Sequence, residues 1–119
     1  MEMNTVNVKM IEKCSALIKR AEKVHEDFKK VRHETYVLTK DLDEHGSAIE
    51  KETMDDMLSF VYNTENCMEV IIHAMKRIAE LCNLGKCDRY MVARVKMATC
   101  EVCAAEKEME VLKEMLKIK

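Results

Sequence analysis

Apolar residues recur at alternating steps of three and four almost from one end of the chain to the other. In the N-terminal third one series runs Met10, Leu17, Val24, Val31, Leu38. A second runs Cys14, Ala21, Phe28, Thr35, Leu42, with a weak start at Asn7. Two such series a heptad apart form the seam of a packed helix. The spacing predicts one helix over about 5–44, capped by Asn4 or Thr5, whose side-chain oxygens can accept from the free N–H groups of a first turn. Ile11 and Ile18 widen the early half of this seam. His25, Arg32 and Thr39 hold the same positions later, so extra burial is expected near the N-terminal part.

The middle third repeats the pattern with a broader face. A second helix is expected over about 48–84, with seams Met54, Val61, Met68, Met75, Cys82 and Met57, Thr64, Ile71, Ile78. Leu58, Ile72 and Ala79 follow the second series by one residue. Phe60, Cys67, Ala74 and Leu81 precede the first by one. A face this wide needs more than one neighbouring helix to cover it. Two helices of the same chain could do so, or a helix from another chain could join them. The last third carries Met91, Ala98, Ala105, Leu112 and Val95, Val102, Met109, Leu116, a third helix over about 88–117.

The punctuation agrees with these bounds. Ser47 followed by Glu50 is the pattern of a capping box, and acids at 50, 52, 55 and 56 suit the positive end of a helix dipole. Gly85 is placed to end the middle helix in the left-handed conformation, and Gly46 is expected to play the same part after the first. Asp88 is the natural N-cap of the third helix, and the lysines at 113, 117 and 119 suit its C-terminus. Turns this short bring successive helices back alongside one another. The expected fold is all-α: a single domain over 1–119, an antiparallel up-down-up bundle of three long helices with coiled-coil-like heptad packing. Dimerisation or helix exchange would be ways to complete it.

Composition narrows the function classes. There is no proline and there are two glycines in 119 residues, so helices run uninterrupted. The net charge of −2 shows no general affinity for nucleic acid. Charge is nevertheless blocked: residues 9–32 hold eight basic and four acidic groups, 34–69 two and ten, and 76–96 six and two. No basic-then-apolar leader opens the chain, and no apolar run approaches the ~20 residues of a membrane span. Six cysteines without a secretory signal read as small buried hydrophobes in a reducing compartment, which places the protein in the cytoplasm or nucleus.

Four constellations bear on chemistry. Asp41, Asp43, His45, Gly46, Ser47 and Glu52 fall on the spacing of a calcium loop, but a histidine stands where an oxygen ligand is needed and no second loop pairs with it. An acidic helix turn explains the same letters. Glu22 and His25 form a Glu-x-x-His pair, yet a carboxylate-bridged di-metal site needs two such pairs and two more inward glutamates, and the seams contain none. Cys100 and Cys103 lie too far along the third helix to share a zinc ion with Cys82 and Cys87. The histidines at 25, 33, 45 and 73 show no ligand spacing with one another. Neither a metal, a cofactor nor an enzymatic activity is therefore expected.

What the sequence supports is a small protein–protein interaction module, a self-associating adaptor or assembly subunit. Its partner would be a second copy or a helix of another protein. Leu58, Phe60, Ile72 and Leu81 on the middle helix, with Ile11 and Ile18 on the first, are the expected contact residues. The alternative is a nucleic-acid-associated bundle using Lys19, Lys23, Lys30, Arg77, Arg89 and Arg94.

Overall fold

The computed structural model describes residues 5–116, which form three helices and no strand. They are α1 (Thr5–His45), α2 (Ala48–Asn83) and α3 (Arg89–Leu116). Each bound lies within two residues of the expected one, the ordinary uncertainty of helix ends. The expected cap at Asn4 lies outside the described residues, as does the end of α3 beyond Leu116.

Both turns are built from the residues that the sequence marks. Ser47 is extended at φ −77° and ψ 163° and caps α2. The Glu50 N–H donates to Ser47 Oγ at 3.2 Å, and the Ser47 N–H donates to Glu50 Oε1 at 3.4 Å, which satisfies two amides that a helix start leaves free. At the other end Gly85 has φ 76°. Its N–H donates to the Cys82 carbonyl at 3.0 Å, and the Lys86 N–H donates to the Leu81 carbonyl at 2.9 Å. This pair of bonds is the Schellman closure, and it needs a left-handed residue where Gly85 stands. Asp88 caps α3, its Oδ1 accepting from the Met91 N–H at 2.9 Å. Gly46 departs from expectation: Gly85 is the glycine with positive φ. Because α1 stays helical through His45 and Ser47 is extended, the first reversal is made without a left-handed glycine.

The core follows the predicted seams over most of their length. On α1 every described seam position from Asn7 to Thr35 is buried; on α3 the run is Val95 to Leu112. On α2 it begins at Val61 and continues through Met68, Ile71, Met75 and Ile78 to Cys82. Three departures matter. Leu38 continues the α1 seam but is 40% exposed. Met54 and Met57 open the α2 seams but are half-buried. Thr64 gives way to Glu65, which is 4% exposed, so the inward face does carry a glutamate after all. The reason is geometric. A straight helix turns every 3.6 residues, and a strict heptad frame drifts around it. Leu42, on the same α1 seam as Thr35, lies outside the described side chains.

α1 is the central element: it packs most broadly on α2 and less on α3, while α2 and α3 touch least. Side-chain pairs mark the registers. His25 meets Glu69 and Arg32 meets Glu65 on α2; Arg20 meets Glu106 and Asp27 meets Lys113 on α3. The molecule is a rod of 65 × 24 × 16 Å. At ~1.5 Å per residue α1, α2 and α3 are about 61, 54 and 42 Å long, so the third layer is the shortest. None of the described helices is long and apolar enough to cross a membrane.

Candidate functional site

The described part of α3 leaves the far end of the α1–α2 hairpin incompletely covered. Among the described residues of 36–60 none is buried. Leu38 and Phe60, at 40% and 42% exposure, stand on or beside the seams that farther along form the core. Met54, Met57 and Leu58 beside them are half-buried. Phe60, Thr64, Cys67 and Ala104 line an open groove of about 480 Å³ between α2 and α3. A fully buried Phe or Leu is worth about 1.5–3 kcal/mol, and at this end that gain is only partly realised.

The six expected contact residues therefore divide. Ile11, Ile18 and Ile72 are partly buried and pack against the chain's own core. Leu58 and Leu81 are half-buried, and Phe60 is the most exposed of the set. Exposed apolar residues that the heptad reading passed over lie at the same end: Tyr36, Val37 and Ile49. Their signal was faint, since each stands off the seam.

A polar cluster lies just inside the uncovered end. His25 Nε2 sits 2.9 Å from Glu69 Oε1 and 3.8 Å from Glu65 Oε1. Arg32 reaches the other Glu65 oxygen at 3.0 Å and places its guanidinium 5.3 Å from the centre of the Tyr62 ring. That Glu65 oxygen accepts no well-directed hydrogen bond, so charge attraction to Arg32 is its main compensation. One imidazole and two carboxylates, with ligand atoms within 4.8 Å of one another, are a donor set that a divalent cation can use. The guanidinium already supplies positive charge there, which favours reading the cluster as an interhelical ion network. The Glu22–His25 pair does not form: Glu22 is exposed, and His25 turns to α2. Glu65 escaped the sequence reading although its position, between Leu58 and Ile72 in a flanking apolar series, was the clue.

The calcium spacing dissolves in the structure. Asp41 to His45 form the last turn of α1, so these residues are helical where a calcium loop would have to curl. The Asp43 side chain lies outside the described ones.

The cysteines separate into three environments. Cys14 and Cys82 are fully buried, and the half-buried Cys87 packs against the same core. Burial pushes the Cys82 thiol up to about 11, with the neighbouring Cys87 thiol adding to it. Cys14 is raised for the same two reasons. Sequence spacing joins 82 to 87 across the turn but gives no hint that Cys14 comes to meet them. Cys67 is raised by burial and by Glu101, to whose Oε2 its thiol donates at 3.5 Å. Cys103 accepts from Arg20 at 3.2 Å, and Cys100 is exposed. None of the six is in a disulfide.

Of the basic residues, Arg77 pairs with Glu80 at 3.3 Å and Arg94 with Glu101 at 3.1 Å. Lys19, Lys23, Lys30 and Arg89 are exposed. The three lysines fall within about 40° of one another on α1 at ~100° per residue. Arg20, next to them, is engaged by Glu106; that hydrogen bond raises the arginine and lowers the glutamate from their ordinary values. Comparison with protein-family models, curated proteins and solved structures returns no match for this chain.

Proposed function

We propose that this chain is a protein–protein interaction module, an adaptor or assembly subunit without catalysis. The observation that carries the reading is the apolar seam that runs past the covered core. Leu38, Met54, Leu58 and Phe60 continue the core pattern but are left half-buried or exposed, while Met57 packs against the core's edge. In this reading the helices pack as an up-down-up bundle with coiled-coil-like seams. A helix from a second copy or from another protein then completes the hairpin end. The free thiols suit a cytoplasmic or nuclear location.

The test is association measured by light scattering and by titration with candidate helices, on the native chain and on a Leu38→Ser, Phe60→Ser double variant. Both side chains are over a third exposed, so the variant should keep its helicity by circular dichroism while association is lost. A variant that keeps both would move the interface elsewhere. The nucleic-acid alternative rests on Lys19, Lys23 and Lys30 sharing one exposed face of α1. It requires binding that falls steeply with salt and is lost when these three become Glu.

A further inference from the structure

We propose that the uncovered end of the α1–α2 hairpin accepts a basic amphipathic helix from another protein, an inference that rests on the interaction reading above. The argument is charge complementarity at an apolar seam. Residues 34–56 carry eight acidic and two basic side chains. Glu34 and Asp41 stand one step before seam positions of α1, and Asp55 one step after Met54 on α2. These acids therefore flank the apolar strip formed by Leu38, Met54 and Leu58. Among the described residues none of Glu34, Asp41, Glu50, Glu52, Asp55 and Asp56 makes an ion pair.

The rest of the molecule behaves differently. Where α3 covers α1, two carboxylates are matched by cations of the facing helix: Glu106 by Arg20 and Asp27 by Lys113. Arg32 serves Glu65 between α1 and α2, and Arg94 serves Glu101 along α3. Ion pairs between helices thus extend as far as Arg32 and Glu65, and among the described residues none joins α1 to α2 beyond them toward the hairpin end. A second copy would bring a second set of unpaired acids to the same seam, and like charges brought together at an interface oppose association. A helix with an apolar stripe and lysine or arginine on both flanks supplies what is missing on each count. The methionines suit this use, since an unbranched thioether repacks around different side chains at little cost. The stretch of α1 that exceeds the described part of α3 in length is about 20 Å, or three to four turns of such a helix.

The experiment uses the full chain and two synthetic helical peptides of about 15 residues, sharing one leucine stripe. One carries lysine on its flanks and the other glutamate. Binding is followed by fluorescence anisotropy at low and at high salt, with light scattering on the protein alone. The expected result is that the lysine peptide binds at least tenfold tighter than the glutamate peptide and loses affinity as salt rises. A Glu34→Lys, Asp41→Lys, Asp55→Lys variant, altered only at exposed positions, should keep native helicity and reverse the preference. A Leu38→Ser, Phe60→Ser variant should weaken the lysine peptide at least tenfold. Equal binding of the two peptides overturns the basic partner but leaves the apolar docking surface standing. A dimer that neither peptide disturbs also overturns it, in favour of self-association. A monomer that binds neither peptide overturns both this inference and the interaction reading.

Discussion

The Arg32 guanidinium lies 3.0 Å from a Glu65 carboxylate that the packing of α1 on α2 has almost wholly removed from water. The two members are not equivalent. Glu65 has a side-chain exposure of 6%, whereas that of Arg32 is 34%. Arg32 can therefore be rehydrated when its partner is lost, and Glu65 cannot. Arg32→Met should cost about 1–3 kcal/mol, below the usual loss for breaking a fully buried pair because one member is partly solvated. Glu65→Leu should change stability by less than about 1 kcal/mol or raise it, since an apolar group then fills an apolar site. Urea unfolding of the two variants checks this. Equal losses would mean that the pair is not asymmetric in burial.

The two glycines should respond differently to the same substitution. Gly85 is left-handed and carries the Schellman closure, so Gly85→Ala should destabilise by about 1 kcal/mol. Gly46 is not held in that conformation, and Gly46→Ala should fall within about 0.5 kcal/mol of the native chain. Thermal melts of both variants decide it. A larger loss at 46 than at 85 would contradict the turn geometry.

Thiol modification should follow burial. Cys100 is exposed and should be alkylated first. Cys82, pushed up to about 11 by burial and by Cys87, should resist in the native state. With that value roughly one Cys82 in a thousand is thiolate at pH 8, before access is considered. Iodoacetamide labelling followed by peptide mass spectrometry reads the order. Early labelling of Cys14 or Cys82 without denaturant would show that the core opens at this end.

The link between Arg20 and Glu106 should depend on pH in one direction. The hydrogen bond from Arg20 holds the Glu106 carboxyl below its ordinary value. A carboxylate depressed on folding contributes stability that is present above the unfolded range, near ~4.3, and lost as pH falls through the lower folded value. Both groups are more than a third exposed, so solvent screening limits the coupling to about 0.2–1 kcal/mol at neutral pH. A double-mutant cycle with Arg20→Met and Glu106→Gln should show it at pH 7, shrinking from about pH 5 downward and with added salt. Coupling that grows in acid would reverse the assignment.

Much of the fold was legible because helix formation and helix punctuation are local. The Ser47–Glu50 box, Gly85 and Asp88 act through backbone groups within four residues, so their roles could be read from spacing alone. The seams from Asn7 to Thr35 and from Val95 to Leu112 were legible because a helical face has one period. The candidate site was less so. Phe60 was picked out and is exposed, but Ile11, Ile18 and Ile72 from the same reasoning pack on the chain's own core. A partly apolar flank looks the same in sequence whether a neighbouring helix covers it or not.

The sequence by itself determined three helices, their two turns and, Gly46 excepted, the residues that close them, because each depends on neighbours along the chain. Tertiary structure decided how far each seam is covered. Among the described side chains the buried run ends near Thr35 on α1 and starts at Val61 on α2, although the apolar pattern of both helices continues beyond. It also decided which distant side chains meet: Glu65 with Arg32 and His25, and Cys14 with the thiols at 82 and 87. Those encounters depend on the relative rotation and register of helices, which are set by the summed packing of whole faces, a property that no local stretch of sequence encodes.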